Sequence, residues 1–175
     1  MKINISNLSQ GTHEYELSKD PVEVGLPENF SANVVAKVTL EKSSRQILVS
    51  ARVAARGMFQ CDRCLDEYSN TIESKLRTLY VWDADGRANG DSEDVRLLAH
   101  DANVIDLSND VRDLVLLSVP LKLLCKEECA GLCPHCGRNL NQMANGECDC
   151  APRDSDPRWN KLAVFFDETL LKKKN

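Results

Sequence analysis

Eight cysteines in a chain of 175 residues, six of them between Cys125 and Cys150, constrain this sequence more than any other feature. The Cys125–Cys150 segment has too few large apolar side chains to build a core, so a cross-link must order it. The opening residues MKINISNLSQ show no apolar stretch behind a positive start, and no run approaches the roughly 18 apolar residues a membrane helix needs. The expectation is a soluble, cytoplasmic protein with no membrane partner. In a reducing compartment its thiols are metal ligands or redox groups rather than a disulfide frame, a preference that a trimmed leader would reverse.

The cysteines fall into four pairs. Cys133-Pro134-His135-Cys136-Gly137 is the most specific. Two thiolates two residues apart can hold one zinc ion from a tight turn, and the glycine supplies the dihedrals that turn demands. Cys148 and Cys150 follow after Gly146 and complete four sulfurs, with C-x-C where a zinc ribbon ordinarily has C-x-x-C. Cys61-Asp62-Arg63-Cys64 and Cys125-Lys126-Glu127-Glu128-Cys129 supply a possible second set. An alternative partition joins Cys125, Cys129, Cys133 and Cys136 for one ion, and one or two structural zinc ions are expected. Catalytic zinc normally keeps an open position, and His13, His100 and His135 show no convergent spacing. Cys61 and Cys64 can also be read as a thiol oxidoreductase pair, although the acidic Leu65-Asp66-Glu67-Tyr68 that follows opposes thiolate formation.

Hydropathy alternation organises the rest. Val34, Ala36, Val38 and Leu40 alternate with mostly polar neighbours, and after the turn Lys42-Ser43-Ser44-Arg45 so do Ile47, Val49, Ala51, Val53 and Ala55. These predict a hairpin with one buried face. A short strand at Ile3 and Ile5 and another over 71–82 are expected, whereas Gly11, Pro21, Gly25 and Pro27 mark residues 9–32 as loops. Asp106 or Ser108 can cap a helix that Pro120 ends. Asp156-Pro157 starts a second helix whose apolar face carries Trp159, Leu162, Phe165, Phe166 and Leu170. The fold class is therefore α+β: an antiparallel sheet, possibly barrel-like, with two main helices and a zinc-knuckle-like segment. Residues 1–120 form the sheet and first helix, and 121–175 the cysteine-rich part and last helix, together one compact unit.

Net charge is −5, which argues against indiscriminate binding to nucleic acid. The average hides polarity: Lys37 to Arg63 holds six basic residues against two acids, while Asp83 to Asp113 holds nine acids against three bases. Alternation places Lys37, Arg52, Arg56, Lys75 and Arg77 on the polar side of one sheet, a candidate RNA-phosphate surface or simply a solvated face. Phe59 and Tyr68 are the nearest candidates for stacking on bases. Phosphate loops, nucleophile elbows and His-Glu-x-x-His are lacking, and the paired acids Asp83/Asp85 and Asp106/Asp110/Asp113 read as solvated or capping groups. No enzyme is expected.

The ordered series Cys61-Asp-Arg-Cys64-Leu65, Val119-Pro120-Leu121, Cys125, Cys129, Gly131-Leu132-Cys133-Pro-His-Cys136-Gly137-x-Asn139-Leu140-Asn141, Cys148-x-Cys150 and Asp156-Pro157-Arg158-Trp159 resembles the YceD family of bacterial and plastid proteins. The resemblance implies a cytoplasmic role in large-subunit rRNA processing or accumulation, with rRNA, a preribosomal particle or an assembly protein as partner, and no catalytic residue. Two further readings stay open: a zinc-stabilised protein-interaction module that never touches RNA, and the thiol oxidoreductase.

Overall fold

The computed structural model describes residues 1–82, 95–99, 101–143 and 148–150. The chain divides into two units, Met1–Cys125 and Lys126–Asn175.

The first unit is built on a five-stranded sheet. Its strands are β2 (Gly11–Lys19), β3 (Val34–Lys42), β4 (Gln46–Gln60), β5 (Glu67–Trp82) and β6 (Val95–Leu98), in that spatial order. The expected hairpin is β3–β4, closed where the Ser43 amide donates to the Gln46 carbonyl at 2.9 Å. β4 and β5 form a longer hairpin, paired without interruption from Gln46↔Val81 to Gln60↔Glu67. Alternation was visible over only part of β5 because its outer half carries polar residues on both faces.

One sheet face is the core. Val34, Val38 and Leu40 on β3 and Ile47, Val49 and Val53 on β4 are almost completely buried. The short helix α1 (Pro21–Val24) and the helix α2 (Ser108–Leu117) contribute Val24, Val111 and Val115 to the same core. So does a two-stranded antiparallel pair of β1 (Lys2–Asn4) and β7 (Val104–Asp106), through Ile3 and Ile105. α2 packs against β5 and β4. Its N-cap position is Leu107 rather than the expected Asp106 or Ser108, although the Asp106 carboxylate just before it accepts from the Ser108 amide at 2.9 Å, and it ends at Leu117, short of Pro120.

Three expectations need correction. The sheet is not closed into a barrel: β2 and β6 remain its two edges, and the core is covered by helices and the β1–β7 pair. Nor is it wholly antiparallel, since β6 runs parallel to β5. Residues 9–32 are not all loop, for β2 and α1 lie there. β2 was illegible because only Tyr15 and Leu17 are apolar on its inner face, and an edge strand needs little more. The second expected helix, from Asp156 onward, and the 83–94 segment lie outside the described residues.

In the second unit, a β-bridge joins Leu132 to Asn139 and a single 3-10 turn spans Leu140–Gln142. Among the described residues no helix is long and apolar enough to cross a membrane.

Candidate metal centres and a basic sheet face

The two C-x-x-C motifs fold into the same turn. In the first, Cys61 directly follows β4, and the motif forms the tip of the β4–β5 hairpin. The Cys61 amide donates to the Asp66 carbonyl at 2.9 Å, and the Leu65 amide donates to the Cys61 carbonyl at 2.9 Å. In the second, the Cys133 amide donates to the Arg138 carbonyl at 2.8 Å and the Gly137 amide to the Cys133 carbonyl at 2.9 Å. The residue after the second cysteine is left-handed in both, φ 62° at Leu65 and 75° at Gly137. Glycine takes that conformation freely; leucine does not, so the first turn holds its shape against local strain.

Each turn aims backbone N–H groups at its leading sulfur. Burial works to raise the Cys61 thiol, but the amides of Cys125, Cys64 and Arg63 outweigh it and bring it down to about 6. The amides of Cys136 and then His135 hold Cys133 at about 6 in the same way. Cys150 is pushed up to about 12, chiefly by its neighbours Cys133 and Cys148. A backbone that stabilises sulfur as the anion is prepared for a thiolate ligand.

In the first unit the sulfurs of Cys61, Cys64 and Cys125 gather, and in the second those of Cys133, Cys136, Cys148 and Cys150. Within each group all sulfurs lie within 4.8 Å of one another. Cys64 and Cys125 are 3.6 Å apart, Cys133 and Cys150 3.5 Å, and Cys136 and Cys148 3.4 Å, all as free thiols. Zinc–sulfur bonds of about 2.3 Å in a tetrahedron place sulfurs roughly 3.8 Å apart, so both groups fit that donor set. The C-x-C pair of the second group therefore reaches the required spacing despite its shorter interval. His135 is exposed and outside both groups.

Neighbouring polar groups were not singled out by sequence reasoning. Asp62 grips the approach to Cys125 from both sides: its amide donates to the Leu123 carbonyl at 2.8 Å, and its carboxylate accepts from the Leu123 amide at 2.7 Å. Asn141 donates through Nδ2 to Cys129 Sγ at 3.2 Å and accepts at Oδ1 from the Ala130 amide at 3.0 Å. Such outer partners orient ligands and tune their basicity. The only available signal was their place in the cysteine motifs.

The sheet face opposite the core carries the basic residues. Register places Lys37 opposite Arg52 and Arg52 opposite Lys75, so three cations stand in one row across β3, β4 and β5. With strands about 4.8 Å apart the row spans roughly 10 Å. It borders two depressions, of about 800 and 610 Å³, the larger also lined by Arg77 and the acids Glu14 and Glu16, the smaller by Glu73. Among the described residues, none of Lys37, Arg52, Lys75 and Arg77 has an ion-pair partner within 4.0 Å. Arg56 lies further along β4 and donates to Ser69 Oγ at 2.7 Å. Phe59 is not available for stacking, because it is buried edge-on against Phe30 with ring centres 5.8 Å apart. Of the acids, Asp110 pairs with Arg96, Asp113 with Arg112, and Asp106 accepts from the Ser108 amide at the start of α2.

The molecule is thus a β-sheet protein with clustered thiols seeded by matching turns, and its second sheet face carries a row of three cations bordered by Glu14, Glu16 and Glu73. The model of one family matches residues 49–166: the large ribosomal RNA subunit accumulation protein YceD. The chain belongs to that family. It is 31% identical to an uncharacterized protein of Mycobacterium tuberculosis over 127 residues, covering 73% of this chain and 59% of the relative. The chain thus spans about three fifths of the length of its mycobacterial relatives. It is 35% identical over 82 residues to the chloroplastic large ribosomal RNA subunit accumulation protein YCED homolog 1 of Arabidopsis thaliana, covering 47% of this chain and 25% of that protein. The corresponding Zea mays protein is 42% identical over 50 residues, 29% of this chain and 16% of its own length. No solved structure matches.

Proposed function

We propose that this protein acts in the cytoplasm as a non-enzymatic factor in large-subunit rRNA accumulation and contacts the RNA of a preribosomal particle through its basic sheet face. Family membership supports the process. The observation that carries the RNA contact is the Lys37–Arg52–Lys75 row. Like charges directly opposite one another destabilise a sheet, and these three have no acid within ion-pair distance among the described residues. A row kept at that cost fits a ligand that brings negative charge, as phosphates do.

Zinc is the metal the donor set fits, held by Cys61, Cys64, Cys125 and Cys129 in one site and by Cys133, Cys136, Cys148 and Cys150 in the other. Four sulfurs close the coordination shell, so the ion supplies a cross-link and no open position for chemistry. The thiol oxidoreductase reading is disfavoured, because Cys61 is fully buried and Cys64 nearly so, whereas an attacking thiolate must be reached.

The test is Lys37→Glu, Arg52→Glu and Lys75→Glu together, expressed in place of the native protein, with ultraviolet crosslinking in cells. The expected result is loss of crosslinked large-subunit rRNA and a fall in its accumulation while the protein stays folded. Undiminished RNA crosslinking, or adducts to protein alone in the native strain, overturns the reading.

A further inference from the structure

The strand β2 leaves one side of its backbone open. It pairs with β3 over nine residues, from Gly11↔Lys42 to Lys19↔Val34, with no bulge and no proline. Its other side has no backbone hydrogen-bond partner among the described residues. An edge of this length and regularity is a template for another strand. Its two faces specify which strand. Outward stand Thr12, Glu14 and Glu16, all exposed; inward stand Tyr15 and Leu17, each only half-buried at the rim of the core. Neither Glu14 nor Glu16 has an ion-pair partner within 4.0 Å among the described residues.

We infer that β2 is a docking edge for an extended segment of a partner protein in which basic and apolar residues alternate. Its basic side chains lie against Glu14 and Glu16, and its apolar ones cover Tyr15 and Leu17. Backbone hydrogen bonds supply the attachment, and the alternation supplies the selection. A second copy of the chain is the poorer occupant, because antiparallel pairing of two β2 strands centred near Tyr15 brings Glu14 and Glu16 of one against the same acids of the other. The inference rests on the open backbone of β2 and not on the RNA reading, although Glu16 stands directly opposite Lys37 and the acidic margin adjoins the basic row.

The full chain is titrated with a fluorescent peptide of about nine residues, the length that matches β2, in which lysine and valine alternate. A control peptide has the same composition in two blocks. Anisotropy reports affinity, and hydrogen exchange reports protection of the β2 amides. The expected result is binding of the alternating peptide with slowed exchange confined to β2, and about tenfold weaker binding of the block peptide. Glu14→Lys with Glu16→Lys should weaken the alternating peptide by about tenfold as well, with the circular dichroism spectrum unchanged. Equal binding of the two peptides, or binding without protection of β2, overturns the inference. So does protection of β2 that rises with protein concentration alone, the mark of self-pairing.

Discussion

Neutralising the basic row should weaken RNA binding and stabilise the fold at once. The perturbation is Lys37→Gln, Arg52→Gln and Lys75→Gln, which keeps side-chain length and polarity. Three cations stand in register across β3, β4 and β5. Each phosphate contact contributes about 0.7 (single strand) to 0.9 (duplex) to the slope of log affinity against log salt. Removing three should flatten that slope by about 2 to 2.7. Between 50 and 200 mM salt, a fourfold change, the row accounts for roughly a 20- to 40-fold loss of affinity in the native protein, and the variant should lack it. Stability should move the other way. Two like-charged cross-strand pairs vanish, each costing about 0.2–1 kcal/mol, and the favourable Lys37–Glu16 pair of similar size is lost with them, so unfolding should become harder by about 0.2–1 kcal/mol. The assay is anisotropy of a labelled large-subunit rRNA transcript across a potassium chloride series, with urea unfolding alongside. An unchanged salt slope in a folded variant refutes the argument; lowered stability would show that the row is neutralised within the fold.

Native mass spectrometry of reduced protein should find two zinc ions, and Cys133→Ser should remove one while leaving the other; zero zinc in the native chain would end the metal reading. Gly137→Ala should cost about 1–2 kcal/mol by denaturant unfolding, because a Cβ there meets nothing within 4 Å and only the left-handed backbone objects. Leu107→Ala should cost about 2–5 kcal/mol, since its side chain is fully buried beneath the sheet's cover. Asp106 is held down to about 2, first by the Ser108 hydroxyl and, after the opposing effect of burial, by the Ser108 amide. A depressed carboxylate contributes stability above its unfolded value of about 4, so that contribution should fade as pH falls from about 4 toward 2. Asp106→Asn should shrink the loss in an acid titration, modestly because the group is partly exposed.

Much of this was legible in local pattern. The β3–β4 hairpin, the buried faces of both strands and the extent of α2 follow from periodicities of two and 3.6, which operate over a few residues. The two C-x-x-C turns follow from spacing as short, and the ordered cysteine motifs were enough to identify the family. Leu65 shows the limit: the glycine that announces the turn at Gly137 is absent there, yet the backbone is the same.

What the sequence determined by itself is the set of local units: amphipathic strands, a helix stopped before Pro120, paired thiols and a chain with separated charges. Tertiary structure decided how they combine. Cys61 meets Cys125 because Asp62 and Leu123 pair their backbones, an arrangement between residues distant in sequence. The basic residues become a row because β3, β4 and β5 pair in one register, and a shift of one residue would send each to the opposite face. The sheet stayed open for the same reason. Closure depends on whether two edges meet, and here helices and the β1–β7 pair cover the core instead. Alternation along one strand encodes which face is buried; it carries no information about which partner buries it.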